Sequence, residues 1–262
     1  MSQEILKELR EIKQKVGKLI DAISEEQPFP KRFNVELACS SINEAHGQDA
    51  YELISFKLLK GVVVCDGVSN ANGEIASRIV SRRVKEVFSG YIPAEGINTA
   101  LELALKDSLR KIKDELRKRN KESSATTFIL ALTDGSSLYI HYSGDGYIHH
   151  FREDLNAYSS YLLSHAVGSA LMGYVGYVNG RYVKVYNSLK VNVAHGSFLV
   201  VATDGDMLDR GAKGKLVVLY NLLRKVRKGE LNLSGAVNEY LRSVKSELKD
   251  DATLAIIWLR EQ

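Results

Sequence analysis

The chain has 262 residues, 45% hydrophobic and 26% charged, a composition that excludes general disorder and allows a sizeable buried core. Lysine and arginine (36) barely outnumber aspartate and glutamate (32), for a net charge of +4. The signs are interspersed where they are dense, as over residues 106–121, which speaks against a nucleic-acid-binding stripe. The apolar runs, such as Gly61-Val62-Val63-Val64-Cys65 and Leu254-Ala255-Ile256-Ile257-Trp258-Leu259, fall far short of the roughly 18 to 20 residues that cross a bilayer, so no membrane partner is expected.

At the N-terminus, Ile5, Leu9, Ile12, Val16, Leu19 and Ile23 recur at spacings of 4, 3, 4, 3 and 4, the 3.5-residue period of a coiled-coil seam. Residues 1–24 are therefore expected to form a heptad helix. Its stripe, residues 5–23, is available to a second copy, to a partner helix, or to the chain's own globular domain. Pro28-Phe29-Pro30 marks residues 25–32 as a linker, and residues 33–262 read as one domain. No basic head and apolar block open the chain, and Cys39 and Cys65 form no CxxC pair, so a cytoplasmic protein without disulfides is expected.

Within the domain, β-branched and apolar runs predict strands at 33–40, 52–59, 61–65, 127–133, 137–142, 147–152, 182–186, 197–202 and 252–258. Apolar spacings of three and four predict helices at 73–91, 95–121, 215–227 and 233–248. Asp134-Gly135 is expected to close a hairpin through a two-residue type I′ turn. Gly168, Gly173, Gly176 and Gly180 are not spaced as a phosphate cradle and are expected to mark a mobile segment. His149 and His150 are adjacent on a strand, so they face opposite ways and do not share an ion. Strands in groups and helices in groups give an α+β class, with sheets covered by helix layers.

Four aspartates sit at the edges of these strands: Asp66, Asp145, Asp204 and Asp250. A carboxylate at the end of a buried strand needs a partner, and no matching set of strand-end lysines or arginines exists to supply one. Convergent carboxylates without cations point to a hard-metal site for magnesium or manganese. Gly67, Gly146 and Gly205 follow three of them and would let the backbone turn sharply to expose a carbonyl as a further ligand.

Six segments then fall in a recognisable order: Gln48-Asp49-Ala50, Val64-Cys65-Asp66-Gly67-Val68, Ala125-Thr126-Thr127, Ser143-Gly144-Asp145-Gly146, Ala202-Thr203-Asp204-Gly205 and Asp250-Asp251-Ala252-Thr253. In them the chain resembles the metal-dependent protein phosphatases, the type 2C serine/threonine class, from Phe33 to Arg260. The resemblance implies a four-layer α-β-β-α sandwich of two antiparallel sheets flanked by helix pairs. It also implies hydrolysis of phosphoserine or phosphothreonine on a phosphoprotein substrate, by attack of a metal-bound water.

Carried onto this sequence, the resemblance has Asp66 bridging two divalent ions, manganese or magnesium, and the Gly67 carbonyl binding one of them. Asp204 and Asp250 hold the other ion, Asp49 acts mainly through metal-bound water, and Asp145 belongs to a third, weaker site. Glu44 stands where relatives often carry a phosphate-clamping arginine, Val68 where many carry a histidine that protonates the leaving oxygen, and Gly146 where a serine is usual. His46 is a candidate for either missing role, against the alternative of an exposed loop histidine. These departures keep a second expectation open: a pseudophosphatase that retains the fold and uses the N-terminal helix and domain surface to hold a partner.

Overall fold

A computed structural model describes residues 34–260 apart from 58, 91–95, 153–154, 156–157, 161–164, 168–169, 207–212 and 249. The chain divides into two compact units, Met1–Arg32 and Phe33–Gln262. The expected heptad helix and linker fall in the first and lie outside the described residues. In chain order the second unit contains β1 (Asn34–Ile42), β2 (Ala50–Phe56), β3 (Leu59–Cys65), α1 (Gly73–Gly90), α2 (Ile97–Arg119), β4 (Ser124–Thr126), β5 (Phe128–Thr133) and β6 (Ser137–Ser143). Then come β7 (Tyr147–Phe151), β8 (Tyr158–Ser160), β9 (Ala166–Val167), β10 (Ala170–Leu171), β11 (Val175–Val178), β12 (Arg181–Lys184) and β13 (Asn187–Asn192). The chain closes with β14 (Phe198–Ala202), α3 (Lys213–Arg227), α4 (Leu233–Val244) and β15 (Ala252–Arg260).

Two five-stranded antiparallel sheets dominate, in the orders β1-β15-β14-β7-β8 and β13-β6-β5-β3-β2. Their central strands are buried on both faces, and the period-two alternation sorts each strand's side chains into separate cores. Val62 and Val64 of β3 meet Leu199, Val201, Ala255 and Ile257 of the first sheet in the core between the sheets. Val63 and Cys65, pointing the other way, pack under α1 and α2 with Val80, Val84, Phe88, Leu101 and Leu105. On the opposite outer face, Phe198, Val200, Leu254 and Ile256 pack against Leu219 and Leu223 of α3 and Val237 and Tyr240 of α4. Three cores separating four layers are the expected sandwich. Each fully buried Val, Leu or Ile contributes roughly 1.5–3 kcal/mol by leaving water.

The helices form where apolar residues recur on one side. In α4 these are Leu233, Ala236, Val237, Tyr240, Leu241 and Val244, and Asn232 caps its start by accepting the Gly235 N–H at 2.6 Å. Two local expectations change. The Asp134-Gly135 hairpin exists, but Asp134 is not at positive φ and Thr133 pairs with Leu138, so the loop holds four residues. The Asp134 carboxylate accepts the N–H groups of Ser136 and Ser137, which stabilises a negative-φ turn instead. The two-residue loop with both φ values positive is Asn179-Gly180 (50° and 80°), joining β11 to β12. Gly176 likewise belongs to a strand: a Cβ there would lie 2.3 Å from the Ser124 carbonyl oxygen of neighbouring β4.

Strand register brings one end of both sheets together. Ile42 pairs with Ala252, and Ala202 pairs with both Leu254 and Tyr147 in the first sheet, while Ala50 pairs with Cys65 in the second. Residues just before β2, β7 and β15 and just after β3 and β14 therefore share one rim.

Candidate metal centre

Asp49 precedes β2, Asp66 follows β3, Asp145 precedes β7, Asp204 follows β14, and Asp250 and Asp251 precede β15, so all six meet at that rim. Asp49 is 4% exposed, and its Oδ2 accepts hydrogen bonds from Thr203 Oγ1 at 3.0 Å and Thr253 Oγ1 at 2.7 Å. Its Oδ1 is buried with no hydrogen-bond donor. The main chain at Asp66 is fixed from the end of β4 and the residue after it: its carbonyl accepts the Thr127 N–H at 2.8 Å and the Thr126 hydroxyl at 2.7 Å. Asp251, 3% exposed, accepts the N–H groups of Ala45 (3.0 Å) and His46 (3.1 Å) on Oδ1 and of Gln48 (2.7 Å) on Oδ2. The carboxylate buried at the start of β15 is thus Asp251, while Asp250 stands at the rim with its side chain 48% exposed.

None of Gly67, Gly146 and Gly205 is at positive φ, so the expected sharp turn is not why glycine follows the acids. Close approach is the reason. A Cβ on Gly205 would sit 1.8 Å from the Asp251 carbonyl oxygen, and Gly67 and Gly73 lie backbone to backbone, each Cβ meeting the other's carbonyl carbon at 2.5 Å or less.

The electrostatics follow from burial and like charge. Burial first, then repulsion from Asp49, Asp204 and Asp250, pushes the Asp66 carboxyl up to about 10. Asp49 is pushed to about 7 by burial, against the two threonine hydroxyls and with Asp251 adding repulsion. Asp145 rises to about 6 through burial and then Asp204, and Asp204 rises through burial, with Asp250 repelling it. Among the described residues, no lysine or arginine forms an ion pair with any of the six. Glu44 pairs instead with Lys245 at 2.6 Å on the outer surface, and the Val68 N–H is held by the Ala125 carbonyl at 3.0 Å. His46 is exposed, as its loop position allows, but Nδ1 lies 2.9 Å from Asp250 Oδ1, and that contact raises the imidazole's proton affinity.

A set of buried and half-buried oxygens, one of them orphaned, with proton affinities raised for want of positive charge, fits divalent cations. The sequence had pointed to Asp49, Asp66, Asp145, Asp204, Asp250 and His46, and the structure brings all six residues to one rim. The parts played by Thr203, Thr253 and Asp251 had not been read. Their signal was present as hydroxyl and acid residues at the ends of strongly apolar strands, but their partners lie 154 to 206 residues away.

The profile of the protein phosphatase 2C family matches residues 40–227, and the chain belongs to that family. Its fold is similar to that of the S. agalactiae serine/threonine phosphatase (15% identity, TM-score 0.68, covering 87% of this chain and 100% of that one). It is similar also to the serine/threonine phosphatase Stp1 from Staphylococcus aureus (15% identity, TM-score 0.70, covering 90% and 100%). The catalytic domain of the phosphatase PstP in complex with two manganese ions gives 14% identity and a TM-score of 0.66, covering 87% of this chain and 99% of that one. At these identities the likeness is one of fold. No curated protein sequence matches the chain significantly.

Proposed function

We propose that the protein is a metal-dependent serine/threonine protein phosphatase acting on phosphoproteins. The observation that carries this reading is the convergence of buried Asp49 with half-buried Asp66 and Asp204, all raised in proton affinity, with no cationic side chain among the described residues paired to them. Asp66 and the Gly67 carbonyl would hold one divalent ion, Asp66, Asp204 and Asp250 a second, and Asp145 would contribute to a third, weaker site. Manganese suits these ligands, and magnesium is the oxygen-preferring alternative. Such ions, when bound, supply Lewis acidity toward phosphoryl oxygens and acidify a coordinated water. Asp49, pinned through Oδ2 by two hydroxyls, offers Oδ1 alone to orient a water for in-line attack. Asp251 fixes the 45–48 loop that carries His46 at the rim.

No helix among the described residues is long and apolar enough to cross a membrane, and both cysteines are free. Cytoplasmic residence is part of the proposal on the cysteine argument. The test is hydrolysis of p-nitrophenyl phosphate and of a phosphothreonine peptide, with manganese, with magnesium and with chelator. Turnover that ignores chelator rejects the reading.

One observation favours the pseudophosphatase alternative: Glu44 puts a carboxylate, paired to Lys245, where a phosphate-gripping fork is expected. Glu44→Arg separates the two. An enzyme weak for want of a clamp gains affinity, seen as a lower KM for the small ester; a binding module gains no turnover.

A further inference from the structure

His46 projects from an exposed loop, yet its place is closely set. Its own N–H and those of Ala45 and Gln48 are held by the Asp251 carboxylate at 2.7 to 3.1 Å, and Gly47 at φ +67° turns the chain between them. The backbone is thus fixed on both sides of the ring, and Nδ1 faces the acids. That nitrogen lies 2.9 Å from Asp250 Oδ1, and one ligand atom from each of His46, Asp250 and Asp251 falls within 4.8 Å of the others.

A contact of 2.9 Å fits a hydrogen bond, and it fits two neighbouring ligands of one ion equally well. Two atoms each about 2.1 Å from an octahedral cation, at right angles, lie about 3.0 Å apart. The neighbourhood separates these readings. Asp250 also repels Asp66 and Asp204, and Asp49 Oδ1 is buried without a donor. An imidazolium at the solvent-facing rim acts on Asp250 and Asp251 and leaves Asp49, Asp66 and Asp204 uncompensated. A divalent ion held by His46 and Asp250 brings twice that charge to the side of Asp250 that repels Asp66 and Asp204.

We propose that His46 Nδ1 is a metal ligand, which with Asp250 Oδ1 biases this centre toward a nitrogen-accepting transition ion over magnesium. The proposal rests on the metal-centre reading above. An all-oxygen set suits magnesium, whereas imidazole raises affinity along the series from manganese to zinc.

The test titrates the metal-free full chain with cobalt(II), read by its visible absorption, and with magnesium, read by calorimetry, in the wild type, His46→Gln and His46→Asp. His46 is exposed, so both variants are expected to keep the wild-type circular dichroism. The cobalt-to-magnesium affinity ratio should fall at least about tenfold in His46→Gln, and further in His46→Asp, whose oxygen suits magnesium. Pulsed electron paramagnetic resonance of the manganese-loaded wild type should show a nitrogen coupling that His46→Gln lacks. A histidine that only hydrogen-bonds Asp250 weakens both ions alike, so an unchanged ratio without nitrogen coupling overturns the assignment of His46 and leaves the centre standing. A wild type that binds no divalent cation overturns the centre itself.

Discussion

Asp66 concentrates the conflict between stability and function. A carboxylate held up to about 10 by burial and three neighbouring acids is costly to ionise in the fold, and the same property makes it a strong cation ligand. Asp66→Asn should therefore do two opposite things. It should remove nearly all metal-dependent hydrolysis, measured with a small phosphate ester, and it should raise the melting temperature of the metal-free protein near pH 8, because an amide does not have to take up the proton that the folded carboxyl holds and the unfolded chain releases. A variant that retains activity would reject its place between the ions.

The pH dependence has a definite sign. Without metal, folded Asp49 and Asp66 keep protons that the unfolded chain releases at ordinary carboxylate values, so the folded state binds more protons and stability falls as pH rises. The fall begins near the ordinary value of 3.8 and continues to about 7 for Asp49 and about 10 for Asp66. Metal binding should expel those protons. Calorimetric titration with manganese in two buffers of different ionisation enthalpy should show proton release at pH 7. Proton uptake would contradict the assignment.

Among the elements, sequence pattern found the longer strands buried on both faces and the exposed β12 as well, but missed β11 and β13. Runs such as Val62-Val63-Val64 and Leu254 to Leu259 are apolar because both faces are covered, and they stood out as strands. β13, largely exposed at a sheet edge, reads Asn-Ser-Leu-Lys-Val-Asn, and nothing in that composition distinguishes it from a loop. β11 was hidden by Gly176, whose missing side chain serves pairing with β4. The acids of the site were legible because charge at the end of an apolar run is anomalous. The glycines beside them were legible as a motif but not in their reason, since close backbone approach is a property of the folded pair. Gly205→Ala tests that reason: its Cβ has no room against the Asp251 carbonyl, so the backbone must shift, with a loss of about 1–3 kcal/mol or more in denaturant unfolding. Wild-type stability in this variant would show that the contact yields freely.

For the molecule as a whole, the two compact units make separable predictions. Every candidate site residue lies after Glu44, so a protein lacking residues 1–32 should retain metal-dependent turnover of a small ester. If the heptad stripe pairs with a second copy, the same deletion should convert an oligomer to a monomer in light scattering. A full-length protein that already runs as a monomer excludes self-association.

The hydroxyl bonds to Asp49 also bear on how the layers can move. Asp49 enters the second sheet, whereas Thr203 and Thr253 belong to the end of the first, and Asp251 likewise ties the loop leading into β2 to the start of β15. An apolar interface such as the one between Val62, Val64, Leu199 and Ile257 resists separation but sets little preference against sliding, because dispersion is non-directional. These directional bonds act as a dowel at one end of the sandwich. They fix the shear between the sheets at the rim where the aspartates of both sheets converge.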